Sequence, residues 1–194
     1  MSGATRSRVR RALAVGLPVL AVGTGILAAG WFLPSPSAVP GYTGVPNACE
    51  SVSQESLREA FEPRRAEVRD QHHGIDGQRH TSKCQWRTEG PVHSARKTRL
   101  QVQVAVEFDR EARPDTAYAN QFLDYLALEP GAAEVPDLAG RAVLIRSPRD
   151  VQLVAAKANM TIEVRYSAAK PTAELEPVAR TITEELLTTA GDPK

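Results

Sequence analysis

The pattern of apolar and charged positions divides the chain near residue 33. The 22 residues from Ala12 to Leu33 carry no charge, and as an α-helix they would extend about 33 Å, enough to cross the hydrocarbon core of a bilayer. The charged residues before this stretch are all arginines: Arg6, Arg8, Arg10 and Arg11. By the positive-inside rule, these arginines stay in the cytoplasm. We therefore predict a cytoplasmic basic tail over residues 1–11, a transmembrane helix over residues 12–33 that contacts the lipid bilayer, and an extracytoplasmic remainder.

A cleaved signal peptide is the alternative for the same segment. Ala28-Ala29-Gly30 offers the small residues of a cleavage site, and Arg10-Arg11 offers the pair found in twin-arginine signals. However, the apolar run is longer than the ~7–15 residues typical of a signal peptide, and the small residues lie inside it. The length favours an uncleaved single-pass anchor in the cell membrane, and both alternatives export the domain.

Residues 34–47, with the sequence PSPSAVPGYTGVPN, follow the apolar run. Proline and glycine at this density exclude a regular helix or strand. We predict that this segment is a spacer and that residues 48–190 form one extracytoplasmic domain.

Helical periodicity occurs in three segments of this domain. Ser51-x-x-Gln54 has the pattern of a capping box, which predicts a helix from Ser51 to about Glu62. A second helix is predicted over residues 115–128, and a third over residues 172–189 with Pro177 in its first turn, where proline is tolerated. The second helix carries a stripe that we interpret as its core face, an aromatic ligand pocket being the alternative: Tyr118, Phe122, Tyr125 and Leu126.

Alternation of apolar and polar residues predicts strands, most clearly from Arg99 to Phe108. Similar patterns occur over residues 83–88, 142–146, 151–157 and 160–166, whereas the polar residues 64–82 are predicted to form an exposed loop. The resulting order after the transmembrane helix is α-β-β-α-β-β-β-α. This order favours an α+β fold, in which helices pack on an antiparallel sheet of about five strands.

The chain has two cysteines, Cys49 and Cys84. An exported domain meets an oxidising compartment, where two thiols are expected to pair. Their spacing excludes a Cys-x-x-Cys redox motif, and Cys49 lies too far beyond the apolar run to be a lipid-attachment site. We predict a Cys49–Cys84 disulfide that stabilises the domain by about 3–4 kcal/mol.

Charge narrows the choice of partner. Removing the four N-terminal arginines from the 24 Lys+Arg leaves 20 against 23 Asp+Glu, a net charge of −3, so nucleic acid is not expected as a partner. Nevertheless, the segment from Arg64 to Arg99 has nine basic and four acidic residues, a local net charge of +5. If these residues share a face, they would suit an anionic partner such as lipid head groups or wall polymer; otherwise they form an ordinary solvated surface.

Motifs that carry catalysis are absent from the sequence. It contains no Gly-x-Ser-x-Gly elbow, phosphate-binding loop, dinucleotide fingerprint or His-Glu-x-x-His helix. A metal site would require the histidines to converge with a carboxylate such as Asp70 or Asp76, and nothing in the spacing of His72, His73, His80 and His93 enforces this. We therefore predict no catalytic residue, no cofactor and no metal.

Four short features together resemble a group of actinobacterial cell-envelope proteins, many of them lipoproteins that carry a domain of unknown function. These features are Cys49 ahead of a capped helix, Cys84-Gln85-Trp86 opening a strand, Val135-x-x-Leu138-x-Gly140-x-Ala142 before a hairpin, and a closing amphipathic helix. The resemblance covers residues 48–187, implies a PsbP-like α/β sandwich, and implies no catalytic residue. The chain departs from the group in its anchor, because Cys49 serves no lipobox and a predicted span replaces the lipid.

Taken together, the sequence favours a non-catalytic binding or interaction module at the cell surface, facing an envelope protein or an anionic ligand. An accessory subunit of a membrane complex, with the span as its contact, is the alternative. A hydrolytic enzyme is a remote alternative, since the sequence contains no constellation of catalytic groups.

Overall fold

The computed structural model describes residues 40–62, 64–88 and 97–194. Within these ranges the order of elements is α1 (Gln54–Phe61), β1 (Ala66–Asp76), β2 (Arg79–Thr88), β3 (Arg99–Glu107), α2 (Thr116–Leu126), β4 (Ala132–Glu134), β5 (Arg141–Ser147), β6 (Asp150–Lys157), β7 (Met160–Ser167) and α3 (Thr172–Ala190). The predicted basic tail (residues 1–11) and transmembrane helix (residues 12–33) lie outside the described residues. Among the helices that are described, none combines the length and the apolar character needed to cross a membrane.

The predicted α+β class with an antiparallel sheet is confirmed, but the predicted strand number and order are wrong. The sheet has seven strands in the order β1-β2-β3-β7-β6-β5-β4, and every neighbouring pair is antiparallel. The two strands that we did not predict are the two edges, β1 and the three-residue β4. Edge strands have little buried surface, so their sequences lack the apolar alternation that marks an inner strand.

Residues 64–82 are therefore not a loop, as predicted, but most of a β-hairpin. A register shift between Val68 and Asp70 breaks the two-residue periodicity of β1, and most of this strand is exposed. Gly77, at φ 57°, allows the tight turn in which Asp76 faces Arg79. The bulge and the exposure together explain why the pattern of this segment resembles a loop.

The hydrophobic core lies on one face of the sheet, beneath α1 and α3. Alternate residues of β3 and β7 point into it, so the predicted apolar face of β3 is confirmed: Leu100, Val102, Val104 and Val106 are all buried. Among the described elements, α2 covers part of the opposite face and packs on Val143, Val154 and Ala156. Polar side chains of β2 and β3 on that face, such as Gln85 and Gln101, are only partly buried, as the alternation predicts.

The predicted core face of α2 is wrong for both of its tyrosines. The helix buries Ala119, Leu123 and Leu126, whereas Tyr118 is 46% exposed and Tyr125 is 63% exposed. The small Ala119 allows the helix to approach the sheet closely, which places the bulky tyrosines outside the contact. Both tyrosines face solvent, so they do not line a cavity inside the core.

One helix boundary and the position of one proline also differ from prediction. The N-cap of α1 is Ser53, whose Oγ accepts a hydrogen bond from the Ser56 N–H at 3.1 Å, so the helix begins after Ser53 and not at Ser51. Pro177 lies inside α3 and not in its first turn, because the helix already begins at Thr172. Pro177 and Ala173 are both exposed, so water can satisfy the Ala173 carbonyl that lacks an intrahelical donor.

The second half of the predicted spacer belongs to the folded domain. The Gly41 N–H donates to the Lys194 carbonyl at 3.0 Å, and the buried Tyr42 donates its N–H to Asn159 Oδ1 at 2.7 Å. Asn159 is itself fully buried, and its Nδ2 donates to the carbonyls of Tyr42 and Glu107. The domain therefore begins near Gly41 and not at residue 48, and its contacts extend to Lys194.

Candidate functional site

An open cleft of about 320 Å³ lies between the last turn of α1 and the start of β1. Three arginines line it: Arg58 on α1, and Arg64 and Arg65 on the connection to β1. Its other lining residues are Gln54, Leu57, Ala66, Val68 and Trp86. We refer to this feature as the arginine cleft.

The arginines of the arginine cleft lack an ion-pair partner among the described residues. Elsewhere in the described residues, arginines such as Arg79, Arg141 and Arg146 form ion pairs with Glu or Asp. By contrast, no ion pair with another described residue is formed by Arg58, Arg64 or Arg65. Guanidinium groups offer paired donors that match the oxygens of a carboxylate or a phosphate, so the cleft is suited to an anion.

The base of the arginine cleft is apolar. Trp86 is 2% exposed and Leu57 is 7% exposed, while Val68, at 52%, forms an accessible apolar rim. The described lining residues include no serine, cysteine, histidine or carboxylate that could act as a nucleophile or a general base. The arrangement can therefore bind an anionic group beside an apolar one, but its lining offers no group for chemistry on the ligand.

Hydrogen bonds to β7 and α3 fix the helix that presents Arg58. The Tyr166 hydroxyl donates to the carbonyl of Ala60, near the end of α1, at 2.6 Å. Burial, together with the charge of Glu59, raises the pKa of Tyr166 to about 12, so the hydroxyl remains a donor at neutral pH. At the other end of α1, the hydroxyls of Ser53 and Ser56 donate to Glu185 of α3 at 2.8 and 2.7 Å.

The predicted disulfide is confirmed and holds the two sides of the cleft together. Cys49 and Cys84 are bonded, with their Cα atoms 5.1 Å apart. Next to the bridge, the Ala48 N–H donates to Ser82 Oγ at 2.9 Å. The segment that leads into α1 is thereby attached to β2, two residues from Trp86 at the base of the cleft.

The arginine cleft lies far from the point where the chain joins the domain. Tyr42 is bound to Asn159, which is bonded to Glu107 at the end of β3. Trp86 pairs with Leu100, near the start of β3. Seven residues of extended strand separate Leu100 from Glu107, a distance of about 23 Å.

The structure divides the basic segment 64–99 among several surfaces. Arg64 and Arg65 lie in the arginine cleft, while Arg69 and Arg79 are paired with Glu67 and Glu107. Because side chains alternate along β2 and β3, a second basic group lies on the opposite face of the sheet: Lys83, Arg87 and Arg99. The cross-strand neighbours on that face include Gln85, Gln101 and Gln103. The described basic residues of this segment therefore do not share one face, and two of them lie in the arginine cleft.

The described histidines do not converge. His72 and His73 are consecutive residues of the exposed strand β1, so their side chains point to opposite faces, and the His80 ring packs 4.8 Å from the Phe108 ring. His93 lies outside the described residues. Within residues 40–62, 64–88 and 97–194, no three His, Cys, Asp or Glu side chains are grouped so that they could hold a metal ion.

Sequence reasoning did not find the arginine cleft, because its residues come from separate elements. Arg58 resembles the basic residues that are common in the last turn of a helix, and Arg64 and Arg65 fall in the segment 64–82 that is predicted to be a loop. The Asp76-Gly77 pair is a hairpin signal that could have located β1, and β1 in turn would have placed Arg64 and Arg65 beside α1.

Comparisons with known proteins add no relative. The chain matches no protein-family model, no curated protein and no solved structure. The described residues themselves therefore carry the functional argument.

Proposed function

We propose that the protein is a non-catalytic, membrane-anchored binding module that holds an anionic ligand of the cell envelope in the arginine cleft. The observation that carries this proposal is the grouping of Arg58, Arg64 and Arg65 over an apolar base, without a carboxylate partner among the described residues. The predicted export and the resemblance to envelope proteins support the same conclusion.

The position of the arginine cleft favours one source of anion over another. The chain joins the domain at the opposite end of the strands, about 23 Å away. That length of rigid strand separates a ligand in the cleft from the junction with the predicted anchor. We therefore favour an anionic wall polymer, with phosphate or carboxylate groups, over the phospholipids of the same membrane.

The test compares two double variants that remove the same charge. Arg64→Gln with Arg65→Gln alters the cleft, and Arg110→Gln with Arg149→Gln removes two exposed arginines elsewhere. Binding of the full chain to polyphosphate, to polyglutamate and to phosphatidylglycerol vesicles would be measured by titration calorimetry. A charge-assisted hydrogen bond contributes about 1.5–3 kcal/mol, so each cleft arginine should account for about ten- to a hundred-fold in affinity for the preferred polymer.

The control variant should bind within about two-fold of the unaltered chain, since its arginines lie outside the cleft and an isolated surface charge contributes little. Equal losses in the two double variants would indicate unspecific attraction and contradict a site at the cleft. Tighter binding to the vesicles than to either polymer would contradict the wall-polymer assignment, and absence of binding to all three probes would contradict the anionic ligand.

A further inference from the structure

Helix α2 exposes an aromatic and aliphatic stripe that the core does not use. Tyr118 and Tyr125 are 46% and 63% exposed, and Leu128, just beyond the helix, is 83% exposed. Residues seven positions apart lie on the same side of a helix, so the two tyrosines share one outward face. We refer to Tyr118, Tyr125 and Leu128 as the tyrosine stripe.

The helix that carries the stripe offers few charged groups to a binding partner. Helix α2 contains no lysine or arginine, and its Asp124 is already paired with Arg141 at 2.8 Å. A partner held by ion pairs would find few groups here. The side chains of the stripe instead combine an apolar body with, in the tyrosines, a polar tip, which is the character of residues at a membrane–water interface.

The chain joins the domain beside the start of α2. A Cβ atom added to Gly41 would lie 2.2 Å from Cβ of Pro114, the residue before the N-cap Asp115. The predicted span ends at Leu33, so seven residues (34–40) separate it from Gly41. Fully extended, they reach at most about 25 Å, and the 11 residues of α2 are only about 16 Å long.

We propose that the tyrosine stripe docks on the outer surface of the bilayer that holds the predicted span. The short tether keeps α2 within reach of that surface and makes the contact intramolecular, so a weak interaction can be well populated. Because α2 and α1 lie on opposite faces of the sheet, this contact leaves the arginine cleft facing away from the lipid. The inference depends on the predicted anchor and not on the ligand of the cleft.

Spin-label accessibility in the full chain, reconstituted in nanodiscs of phosphatidylethanolamine and phosphatidylglycerol, tests the contact. Both native cysteines are engaged in the disulfide, so a label attaches to one introduced cysteine. Tyr125→Cys samples the stripe, and Val68→Cys samples an exposed apolar position on the other side of the domain. We expect the label at 125 to be several-fold more accessible to oxygen, relative to a water-soluble nickel complex, than the label at 68.

The same label tests the role of the tether. Extending residues 34–40 to 28 residues with glycine and serine lowers the effective concentration of the stripe at the bilayer by about eight-fold, since that concentration falls as the three-halves power of tether length. The ratio of docked to undocked domain should fall by the same factor.

Three results would overturn the proposal. If the chain stays in the membrane after a carbonate wash but the label at 125 is as water-accessible as the label at 68, the stripe does not dock, and the function of the arginine cleft is unaffected. If tether length has no effect on the docked fraction, the tether does not drive the contact. If a carbonate wash releases the chain, both the anchor and the docking are refuted.

Discussion

Removal of the disulfide tests the link between stability and the arginine cleft. The perturbation is Cys49→Ala with Cys84→Ala, in which alanine avoids placing a hydroxyl at the fully buried position 84. The bridge closes a loop with a sequence separation of 35. The loop-entropy relation gives about 3.8 kcal/mol for a loop of this length at 25 °C. This loss would be a large share of the 5–15 kcal/mol that is typical of a domain.

The assay uses residues 40–194, which contain one tryptophan, the buried Trp86. Urea unfolding followed by its fluorescence gives the free energy of unfolding with and without the bridge. Because the bridge attaches the segment before α1 to β2, its loss also frees the two sides of the cleft. We therefore expect weaker binding of the preferred polymer by variant protein that is still folded.

Reduction of the unaltered protein with dithiothreitol should reproduce the loss, while the double-alanine protein should not respond to the reductant. A difference in unfolding free energy below about 1 kcal/mol would refute the loop-entropy reasoning. It would mean that the unfolded chain is already constrained near these residues, or that the hydrogen bond from Ala48 to Ser82 and the neighbouring packing are sufficient on their own.

Two further predictions concern buried polar groups. Tyr166→Phe removes the donor to the Ala60 carbonyl, so the unfolding free energy should fall by about 1–3 kcal/mol in urea titrations; an unchanged value would mean that water replaces the hydroxyl. Burial raises the pKa of Glu107 above its ordinary 4.5, an effect that Arg79 opposes and Asp115 reinforces. Its contribution to stability is therefore fully present below that value and is lost as the pH rises through the folded pKa. Glu107→Gln should flatten this decline in unfolding titrations carried out above about pH 4.5, and an unaltered slope would exclude Glu107 as its source.

Local patterns in the sequence were sufficient for the inner part of the fold. β3, β5, β6 and β7 occur where alternation predicts them, because an inner strand buries one side chain in two and selection for burial leaves that period in the sequence. The hairpin turn around Pro148 and Arg149 follows from turn residues in the same way. The edge strand β1 was not predicted, because most of it is exposed and a bulge interrupts it, so its sequence lacks the alternation of apolar and polar residues.

The arginine cleft shows what local patterns do not contain. Arg58 is 28 positions before Trp86 in the chain, and neither residue carries a motif. They lie in one cleft because the disulfide and the Tyr166 hydrogen bond hold α1 over the end of β2. That juxtaposition is a product of packing between distant segments, so no window of sequence could reveal it.

The sequence by itself determined the class of fold, the pairing of the cysteines, and the expectation of an exported, anchored domain. Each follows from periodicity, composition or compartment, which are properties of residues and their immediate neighbours. Only the tertiary structure decided that Gly41 and Tyr42 belong to the domain, that Tyr118 and Tyr125 face outward, and that three arginines line one cleft. These features depend on which surfaces meet, and a helix has the same periodicity whichever of its faces the sheet contacts.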